Sequence, residues 1–354
     1  MNLEDIGYNS TINNYVTDSG LDKSNVGRVV AVFRDIYHVR TTSTELKTTI
    51  TGNLQNSIDD KSELPIVGDW VHLNKYDDDN AFITKIFPRN NFIERRSKGK
   101  VANKQPIAAN VDFGFIVEAI TENFNINRIE RYLAICNSAN VKPIILLTKT
   151  DLITKSDLNN TISTVKKRIG DEPIFALSNL TNVGIDELKL SLLKSKTYCL
   201  LGLSGVGKST LLNILSEKIV MKTGAISQST NKGVHTTTHR QLFLLKNGSI
   251  IIDNPGMREV GITDSTIGVE ITFDKIIELA QDCHFSDCTH IHEKGCAVLN
   301  AVEIGNLAKD IYDNYIKMKK EQSRLLTTLV AKRKQDKAFG KMIKDVMKNK
   351  KNKK

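Results

Sequence analysis

One stretch of the sequence has the residue types and the spacing of a phosphate-binding loop. Residues 202–209 read Gly-Leu-Ser-Gly-Val-Gly-Lys-Ser and fit the pattern G-x-x-x-x-G-K-[ST], with a strand-like run before them and an amphipathic run after them. In such a loop the glycines let backbone N–H groups converge on phosphate oxygens at the start of a helix. Lys208 would contact the β- and γ-phosphates, and Ser209 would hold Mg²⁺. The predicted nucleotide-contacting residues are Gly202, Leu203, Ser204, Gly205, Val206, Gly207, Lys208, Ser209 and Thr210.

A second stretch has the residues to bind the metal ion and the terminal phosphate of the same nucleotide. The apolar run Ile250–Ile252 leads into Asp253-Asn-Pro-Gly256, which has the form Asp-x-x-Gly at the end of a strand. A carboxylate at a strand end can bind Mg²⁺ through water, and the N–H of Gly256 can contact the γ-phosphate. We therefore expect Asp253 and Gly256 to lie in the same site as Lys208.

A third stretch indicates which nucleotide is bound. Residues 148–151 read Thr-Lys-Thr-Asp and resemble the Asn-Lys-x-Asp guanine-specificity motif of GTPases. In that motif the aspartate accepts hydrogen bonds from N1 and N2 of guanine, and adenine lacks this pair of donors. Ser178 and Asn179 follow another strand and resemble the short loop that contacts guanine O6. The alternative is a P-loop ATPase or kinase in which the tetrapeptide is incidental. The candidates for base recognition are Thr148, Lys149, Thr150, Asp151, Ser178 and Asn179.

The order of these motifs along the chain is unusual. The guanine motif at 148–151 precedes the phosphate loop at 202–209, whereas an ordinary GTPase has the phosphate loop first. This order predicts a circular permutation, which an alternating α/β fold tolerates because its termini can be joined at the surface. The segment after Gly256 then continues directly into a carboxy-terminal domain. We therefore expect GTP hydrolysis to reposition that domain through this covalent connection.

Three of the five cysteines and one histidine fall within 14 residues. Their spacing is Cys283-x4-Cys288-x-His290-x5-Cys296, and even spacing would place about 0.2 cysteine in such a window. Three thiolates and one imidazole make a closed tetrahedral zinc site, which favours a structural role over a catalytic one. Two nearby histidines are alternatives to His290 as the fourth ligand, namely His284 and His292.

The composition is that of an ordinary globular protein, with 354 residues of which 40% are hydrophobic and 25% charged. No apolar run approaches the roughly 20 residues that span a bilayer, and residues 1–17 lack the apolar core of a secretory signal. Five cysteines are too few for a disulfide scaffold. We therefore expect a soluble, cytoplasmic and monomeric protein that has no membrane partner.

The positive charge is concentrated at the carboxyl end. Residues 332–354 contain eleven Lys or Arg against Asp336 and Asp345, so this tail carries +9 of the formal net charge of +10. Such a tail attracts polyanions by releasing their counterions, an attraction that salt weakens. RNA is the expected polyanion, and a disordered, solubilising end is the alternative.

The elements that must position these motifs form several predicted regions. Residues 1–24 are polar and are predicted to be a flexible lead-in. Five short strands within 25–100 predict a small closed β-barrel, for which an OB-fold is one candidate and an SH3-like barrel another. Trp70 lies in one of these strands and is expected in the core, with base stacking as the alternative. The predicted strands are Gly27–Phe33, Ile36–Thr42, Glu45–Gly52, Asp69–Tyr76 and Ala81–Phe87.

The rest of the chain changes to apolar runs that alternate with amphipathic stretches. Residues 97–110 look like a linker, and a doubly wound α/β domain follows within 101–265, with parallel strands that include Leu242–Leu245. A helical zinc-binding domain is predicted at 266–330 and a basic tail at 331–354. The fold class is therefore multidomain α/β.

Together these residues resemble one family, the small-ribosomal-subunit-dependent GTPases RsgA, also called YjeQ. The resemblance covers about residues 25–300. It implies an OB-fold, a circularly permuted GTPase domain and a zinc domain, and it implies GTP with Mg²⁺ as the ligands. It also implies a role late in assembly of the small ribosomal subunit and turnover stimulated by that subunit. Our leading hypothesis adds that the barrel, the zinc domain and the tail hold ribosomal RNA. The matching positions include Gly27, Gly68, Asp69, Asn110, Asp112, Arg131, Leu133, Gly233 to Thr238, Asp253 to Arg258, and the cysteine cluster.

The resemblance also suggests two residues that residue spacing alone does not identify. Thr237 matches the switch threonine that closes on Mg²⁺ and the γ-phosphate, with Thr236 and Thr238 as alternatives. His235 is similar to a family histidine thought to assist hydrolysis, and a solvated loop histidine is the alternative. The predicted catalytic set is therefore Lys208, Ser209, Thr237, Asp253 and His235. A non-catalytic RNA-binding protein that uses GTP as a structural ligand is the alternative to an enzyme.

Overall fold

The computed structural model describes residues 2–96, 104–221, 240–254 and 266–324. The strands in these ranges are β1 (Val26–Phe33), β2 (Ile36–Arg40), β3 (Glu45–Ile50), β4 (Trp70–Lys75), β5 (Asn80–Ile86), β6 (Phe92–Arg96), β7 (Lys104–Ala109), β8 (Phe113–Ala119), β9 (Lys142–Thr148), β10 (Ile174–Ala176), β11 (Thr197–Leu201), β12 (Arg240–Leu244) and β13 (Ile250–Asp253).

Helices connect these strands and form most of the carboxy-terminal part. None of the helices in the described ranges is long and apolar enough to cross a membrane. They are α1 (Ser10–Asp18), α2 (Gly52–Ser57), α3 (Ile126–Ser138), α4 (Lys155–Ile169), α5 (Ile185–Ser191), α6 (Lys208–Ser216), α7 (Ile267–Thr272), α8 (Asp274–Ala280), α9 (Ala297–Glu303) and α10 (309–324).

The first five strands close into the predicted barrel. Their order is β1-β2-β3-β5-β4, and β4 pairs back onto β1. The pairing of β3 with β5 is parallel, and the other pairings are antiparallel. Alternate residues of each strand point inward, so that Val29, Val39, Leu46 and Ile83 fill the interior. The barrel confirms the prediction from the alternating pattern.

The amino-terminal segment is not the flexible lead-in that its polar composition suggested. It forms a 3-10 helix at Leu3–Ile6 and the helix α1, and the side chain of Asn9 caps α1. Ile12 and Val16 are four residues apart and therefore share one face of α1, which packs against Trp70. The many polar residues of this segment made its short amphipathic pattern difficult to recognise in the sequence. Trp70 itself is buried, as predicted.

The central sheet of the α/β domain joins the barrel through one antiparallel strand. Strands β10, β9, β8, β11 and β13 are parallel, as predicted. Strand β12 was expected to be parallel, but it runs antiparallel to β13. The reason is the short connection: the N–H of Gly248 bonds to the carbonyl of Leu245, and a tight turn can only reverse the chain. The other edge of β12 pairs with β1, so that eleven strands of the described residues form one continuous sheet.

Helices cover both faces of this sheet. Alternate residues of β8 point to opposite sides, so that Ile116 packs with Ile129 of α3 while Phe115 packs with Leu188 of α5. This arrangement confirms a doubly wound domain. Part of the predicted linker is also structured: β7 pairs with β6, and Pro106 sits beside a register shift, where a missing N–H is tolerated. Residues 97–103 lie outside the described ranges.

The carboxy-terminal helices pack on α3 of the α/β domain. Their own core contains Val269, Phe273, Val298 and Met318, and Ala134 of α3 belongs to the same cluster. The approach of α7 is close, since a Cβ added to Gly268 would lie 2.1 Å from the carbonyl oxygen of Ala134. The predicted basic tail lies outside the described residues.

Candidate nucleotide-binding site and metal centre

The phosphate loop connects β11 to α6. Strand β11 ends at Leu201 and α6 begins at Lys208, which is the context that the motif requires. Gly202 has φ +147°, and a Cβ there would lie 2.4 Å from the carbonyl oxygen of Val117. Gly205 and Gly207 also have left-handed φ values. The loop therefore has a backbone path that residues with a Cβ would not follow.

Lys208 and Asp253 face the same end of the sheet. Lys208 begins the helix that follows β11, and Asp253 is the last residue of the neighbouring parallel strand β13, where it is in register with Leu200 of β11. The ammonium of Lys208 donates to the carbonyls of Gly202 (2.8 Å) and Leu203 (2.6 Å). Burial lowers the pKa of Lys208 to about 8, an effect that the Asp253 carboxylate partly offsets. Burial likewise raises the pKa of Asp253, and the positive charge of Lys208 offsets part of this rise.

The guanine-motif loop is fastened to the phosphate loop. Strand β9 ends at the buried Thr148, whose hydroxyl donates a 2.6 Å hydrogen bond to the carbonyl of Val206, 58 residues away. The hydroxyl of Ser178 donates to Asp151 at 2.5 Å. The side-chain amide of Asn179 donates to the carbonyl of Gly207 at 3.0 Å. The structure thus brings residues 148–151 and 178–179 together at the phosphate loop, as a permuted site requires.

The predicted switch residues lie outside the part of the chain that the structure describes. Thr237, with its alternatives Thr236 and Thr238, lies outside the described ranges, and so do His235 and Gly256. Their roles stay predictions. Ser209 lies in the first turn of α6, directly after Lys208, where its hydroxyl is next to the phosphate loop.

Sequence reasoning missed two residues that support the site. Glu118 is buried at the end of β8 and forms an ion pair with Arg128, and the hydroxyl of Thr148 also contacts its carbonyl oxygen. An acidic residue in an otherwise apolar strand was the available signal. The side chain of Asn213, in the helix that follows the phosphate loop, accepts the N–H groups of Val220 and Met221 and so fixes the chain just beyond that helix. No motif marks this asparagine.

The cysteine cluster forms a compact group of metal ligands. The ligand atoms of Cys283, Cys288, His290 and Cys296 lie within 4.8 Å of one another. The Sγ atoms of Cys283 and Cys296 are 3.8 Å apart, and each lies 3.5–3.6 Å from Nδ1 of His290. A tetrahedral zinc ion with Zn–S bonds of about 2.3 Å and a Zn–N bond of about 2.0 Å sets its ligand atoms roughly 3.5–3.8 Å apart. The donor set therefore fits zinc, and the distances among Cys283, Cys296 and His290 match its tetrahedral spacing.

The surrounding backbone determines which histidine joins the cluster. His290 has φ +60° and is buried, and its carbonyl accepts a 2.7 Å hydrogen bond from the hydroxyl of Tyr312. Glu293 accepts the N–H groups of Thr289 and His292, and its bond with the Thr289 side chain is the main reason that its pKa is lowered. The two alternative ligands proposed from sequence, His284 and His292, are exposed and lie outside the group.

Comparison with known proteins agrees with this geometry. The family model described as RsgA GTPase matches residues 86–263. A protein of Listeria monocytogenes named small ribosomal subunit biogenesis GTPase RsgA 2 is 40% identical over 301 residues, which cover 85% of this chain and 84% of the relative. The chain belongs to the RsgA GTPase family. It is accordingly a GTP hydrolase.

Other matches extend over the same architecture. An RsgA 2 protein of Vibrio parahaemolyticus is 36% identical to this RsgA-family chain. The alignment covers 98% of this chain and 93% of the relative. The crystal structure of YjeQ from Thermotoga maritima has a TM-score of 0.62 at 27% identity and covers 85% of this chain and 98% of that protein. The crystal structure of YloQ, described as a circularly permuted GTPase, has a TM-score of 0.58 at 26% identity. The match covers 84% of this chain and 95% of YloQ. The predicted permutation is therefore confirmed. A model described as 50S ribosome-binding GTPase also matches residues 197–331.

Proposed function

We propose that this chain hydrolyses GTP as a late assembly factor of the small ribosomal subunit. The observation that carries the nucleotide assignment is the pair of hydrogen bonds from Thr148 to Val206 and from Asn179 to Gly207, which join the base loops to the phosphate loop. The hydrogen bond from Ser178 to Asp151 joins the two base loops to each other. The subunit assignment is supported by the names of the relatives, which are called small ribosomal subunit biogenesis GTPases.

The proposed roles of the residues follow from their positions. Asp151 accepts N1–H and N2–H of guanine, while Lys208 and the N–H groups of the loop hold the phosphates. Ser209, Asp253 and Thr237 would hold Mg²⁺, which neutralises charge on the phosphate oxygens when it is bound. Lys208 must exchange the carbonyls of Gly202 and Leu203 for phosphate oxygens when the nucleotide enters.

The cysteine cluster is proposed to hold one structural zinc ion. All four ligands are provided by the protein, so no position is open for a substrate. The cluster lies among α8, α9 and α10, whose apolar side chains share one core with Cys296. The metal would therefore fix the fold of the carboxy-terminal domain rather than take part in hydrolysis.

We further propose that ribosomal RNA is contacted by the barrel, the zinc domain and the basic tail, and that the chain acts as a cytoplasmic monomer. The support for RNA is electrostatic, since residues 332–354 carry +9 of the net charge of +10. The movement of the carboxy-terminal domain on hydrolysis is also a proposal. The ion pair between Arg131 and Glu321 (2.8 Å) is one of the contacts that such a movement would have to break.

The deciding experiment measures GTP turnover with purified small subunits and, as the control, with large subunits. We expect small subunits to raise turnover about tenfold or more, as activating partners of GTPases do, and large subunits to have no effect. The control matters because one matching family model is described as 50S ribosome-binding. Stimulation by large subunits alone would refute the assignment of the subunit. Equal turnover of ATP would refute the assignment of the nucleotide, and no stimulation at all would favour a non-catalytic RNA-binding role.

A further inference from the structure

Asn179 connects the predicted base-binding loop to the end of the phosphate loop. Its Nδ2 atom donates a 3.0 Å hydrogen bond to the carbonyl oxygen of Gly207. Gly207 has φ +102°, and a Cβ there would lie 2.7 Å from the same Nδ2 atom. The amide therefore approaches the backbone so closely that position 207 has no room for a side chain. The Oδ1 atom of Asn179 is buried and accepts no hydrogen bond from the described residues.

A second hydrogen bond holds the preceding peptide group. The hydroxyl of Thr148 donates to the carbonyl of Val206, while Asn179 donates to that of Gly207. Two consecutive carbonyls of the phosphate loop thus accept hydrogen bonds from side chains of two different base-binding loops. The Gly207 carbonyl also accepts the first helical bond of α6, from the N–H of Leu211 at 2.9 Å. The carbonyl of Gly207 immediately precedes Lys208, and that of Val206 is one residue earlier.

Holding a carbonyl also orients the N–H group of the next residue. The peptide bond is planar and trans, so the C=O of Gly207 and the N–H of Lys208 point in opposite directions. The N–H groups at the start of a helix are the donors that bind phosphate oxygens in such loops. The Asn179 amide is a second donor to the Gly207 carbonyl, beside the N–H of Leu211, and it therefore restrains the direction in which the Lys208 N–H points on the other side of the peptide.

We propose that Asn179 is a positioning residue for the β-phosphate, acting through the peptide group between Gly207 and Lys208. The inference rests on the proposed nucleotide site and adds that its base-binding loop and its phosphate loop are coupled through Asn179. The loop that contacts the base also determines how well the phosphate loop binds the diphosphate. A purely local role of Asn179 in the shape of the base loop would affect every guanine nucleotide equally.

The test compares the dissociation constants of GMP and GDP, measured by competition with a fluorescent nucleotide, for the wild type and Asn179→Ala. The matched control is Thr181→Ala, which truncates an exposed side chain of the same loop. A neutral hydrogen bond contributes about 0.5–1.5 kcal/mol. We therefore expect GDP to bind roughly 2–10-fold more weakly to Asn179→Ala, with GMP affinity unchanged. Asn179→Leu, which keeps the shape but has no donor, should behave in the same way.

Equal weakening of GMP and GDP would overturn the inference, and so would unchanged GDP affinity or an effect matched by Thr181→Ala. The same measurement with AMP and ADP separates this outcome from failure of the proposed function. If the wild type bound ADP as well as GDP, the guanine assignment would fall. The role of Asn179 would then still be decided by the ratio of AMP to ADP affinity, because the β-phosphate is common to both diphosphates.

Discussion

The hydroxyl of Ser178 lies 2.5 Å from a carboxylate oxygen of Asp151, although 27 residues separate them in the chain. A hydroxyl that donates to a carboxylate holds it in one orientation and leaves its other lone pairs for further donors. Ser178 also accepts the N–H groups of Leu180 and Thr181, so its own position is fixed. The predicted base-binding carboxylate is therefore oriented by the neighbouring loop before any nucleotide arrives.

The first prediction concerns the base that Asp151 selects. The substitution Asp151→Asn replaces one acceptor by an N–H donor, which suits the C2 carbonyl of xanthine instead of the amino group of guanine. We expect GTP affinity to fall at least 100-fold and xanthosine triphosphate to become the preferred ligand. Competition binding with both nucleotides measures this. Asp186→Asn, on the exposed face of α5, is the matched control. An unchanged preference in Asp151→Asn would remove Asp151 from base recognition.

The second prediction concerns the pH dependence of phosphate binding. Burial lowers the pKa of Lys208 to about 8, so the free protein loses this positive charge above pH 8. Phosphate binding favours the protonated ammonium, and GDP affinity should therefore fall as the pH rises, by up to about tenfold per pH unit above pH 8. Titrations between pH 6.5 and pH 9.5 check this.

The matched variant for this titration is Lys208→Met, which should bind GDP weakly and also lose GTP hydrolysis. Its affinity should show no decline above pH 8 beyond the titration of the nucleotide itself, which both proteins share. A decline as steep as that of the wild type would assign the titration to another group.

The third prediction concerns the metal. Zinc analysis of the purified protein should give one ion per chain, and His290→Ala or Cys288→Ser should reduce this value to near zero. Because the cluster shares a core with the carboxy-terminal helices, both variants should also lower the Tm. His284→Ala and His292→Ala are the matched controls and should retain the metal, since both side chains lie outside the group. Loss of zinc from either control variant would contradict the assignment of His290.

The fourth prediction concerns the basic tail. Removal of residues 332–354 takes away eleven Lys or Arg and two Asp. The logarithm of the RNA affinity should then depend less steeply on the logarithm of the salt concentration, because fewer counterions are released on binding. Basal GTP turnover should stay unchanged, since the phosphate loop and the base loops are intact. An unchanged salt slope would show that the tail does not contact RNA.

Local patterns predicted most of the secondary structure around the site. The phosphate loop could be recognised because its function requires glycines and a lysine at fixed spacing, and the helix α6 begins at Lys208 as that motif requires. The direction of β12 could not be predicted from its apolar pattern, because a strand buried on both faces reads the same in either direction. The packing of the amino-terminal segment on Trp70 was also not predicted. The apolar residues of this segment are few and widely spaced, so its composition is that of a polar loop.

The sequence by itself indicated which chemistry to expect: a lysine and glycines that suit phosphate, an aspartate that suits guanine, and three thiolates with an imidazole that suit zinc. Only the tertiary structure decided which groups meet. It selected His290 over His284 and His292, and it brought the side chains of Thr148 and Asn179 onto two consecutive carbonyls of the phosphate loop. The physical reason is that residue types and short spacings follow from local chemistry. Contacts across many residues depend on strand order and helix packing, which no local pattern records.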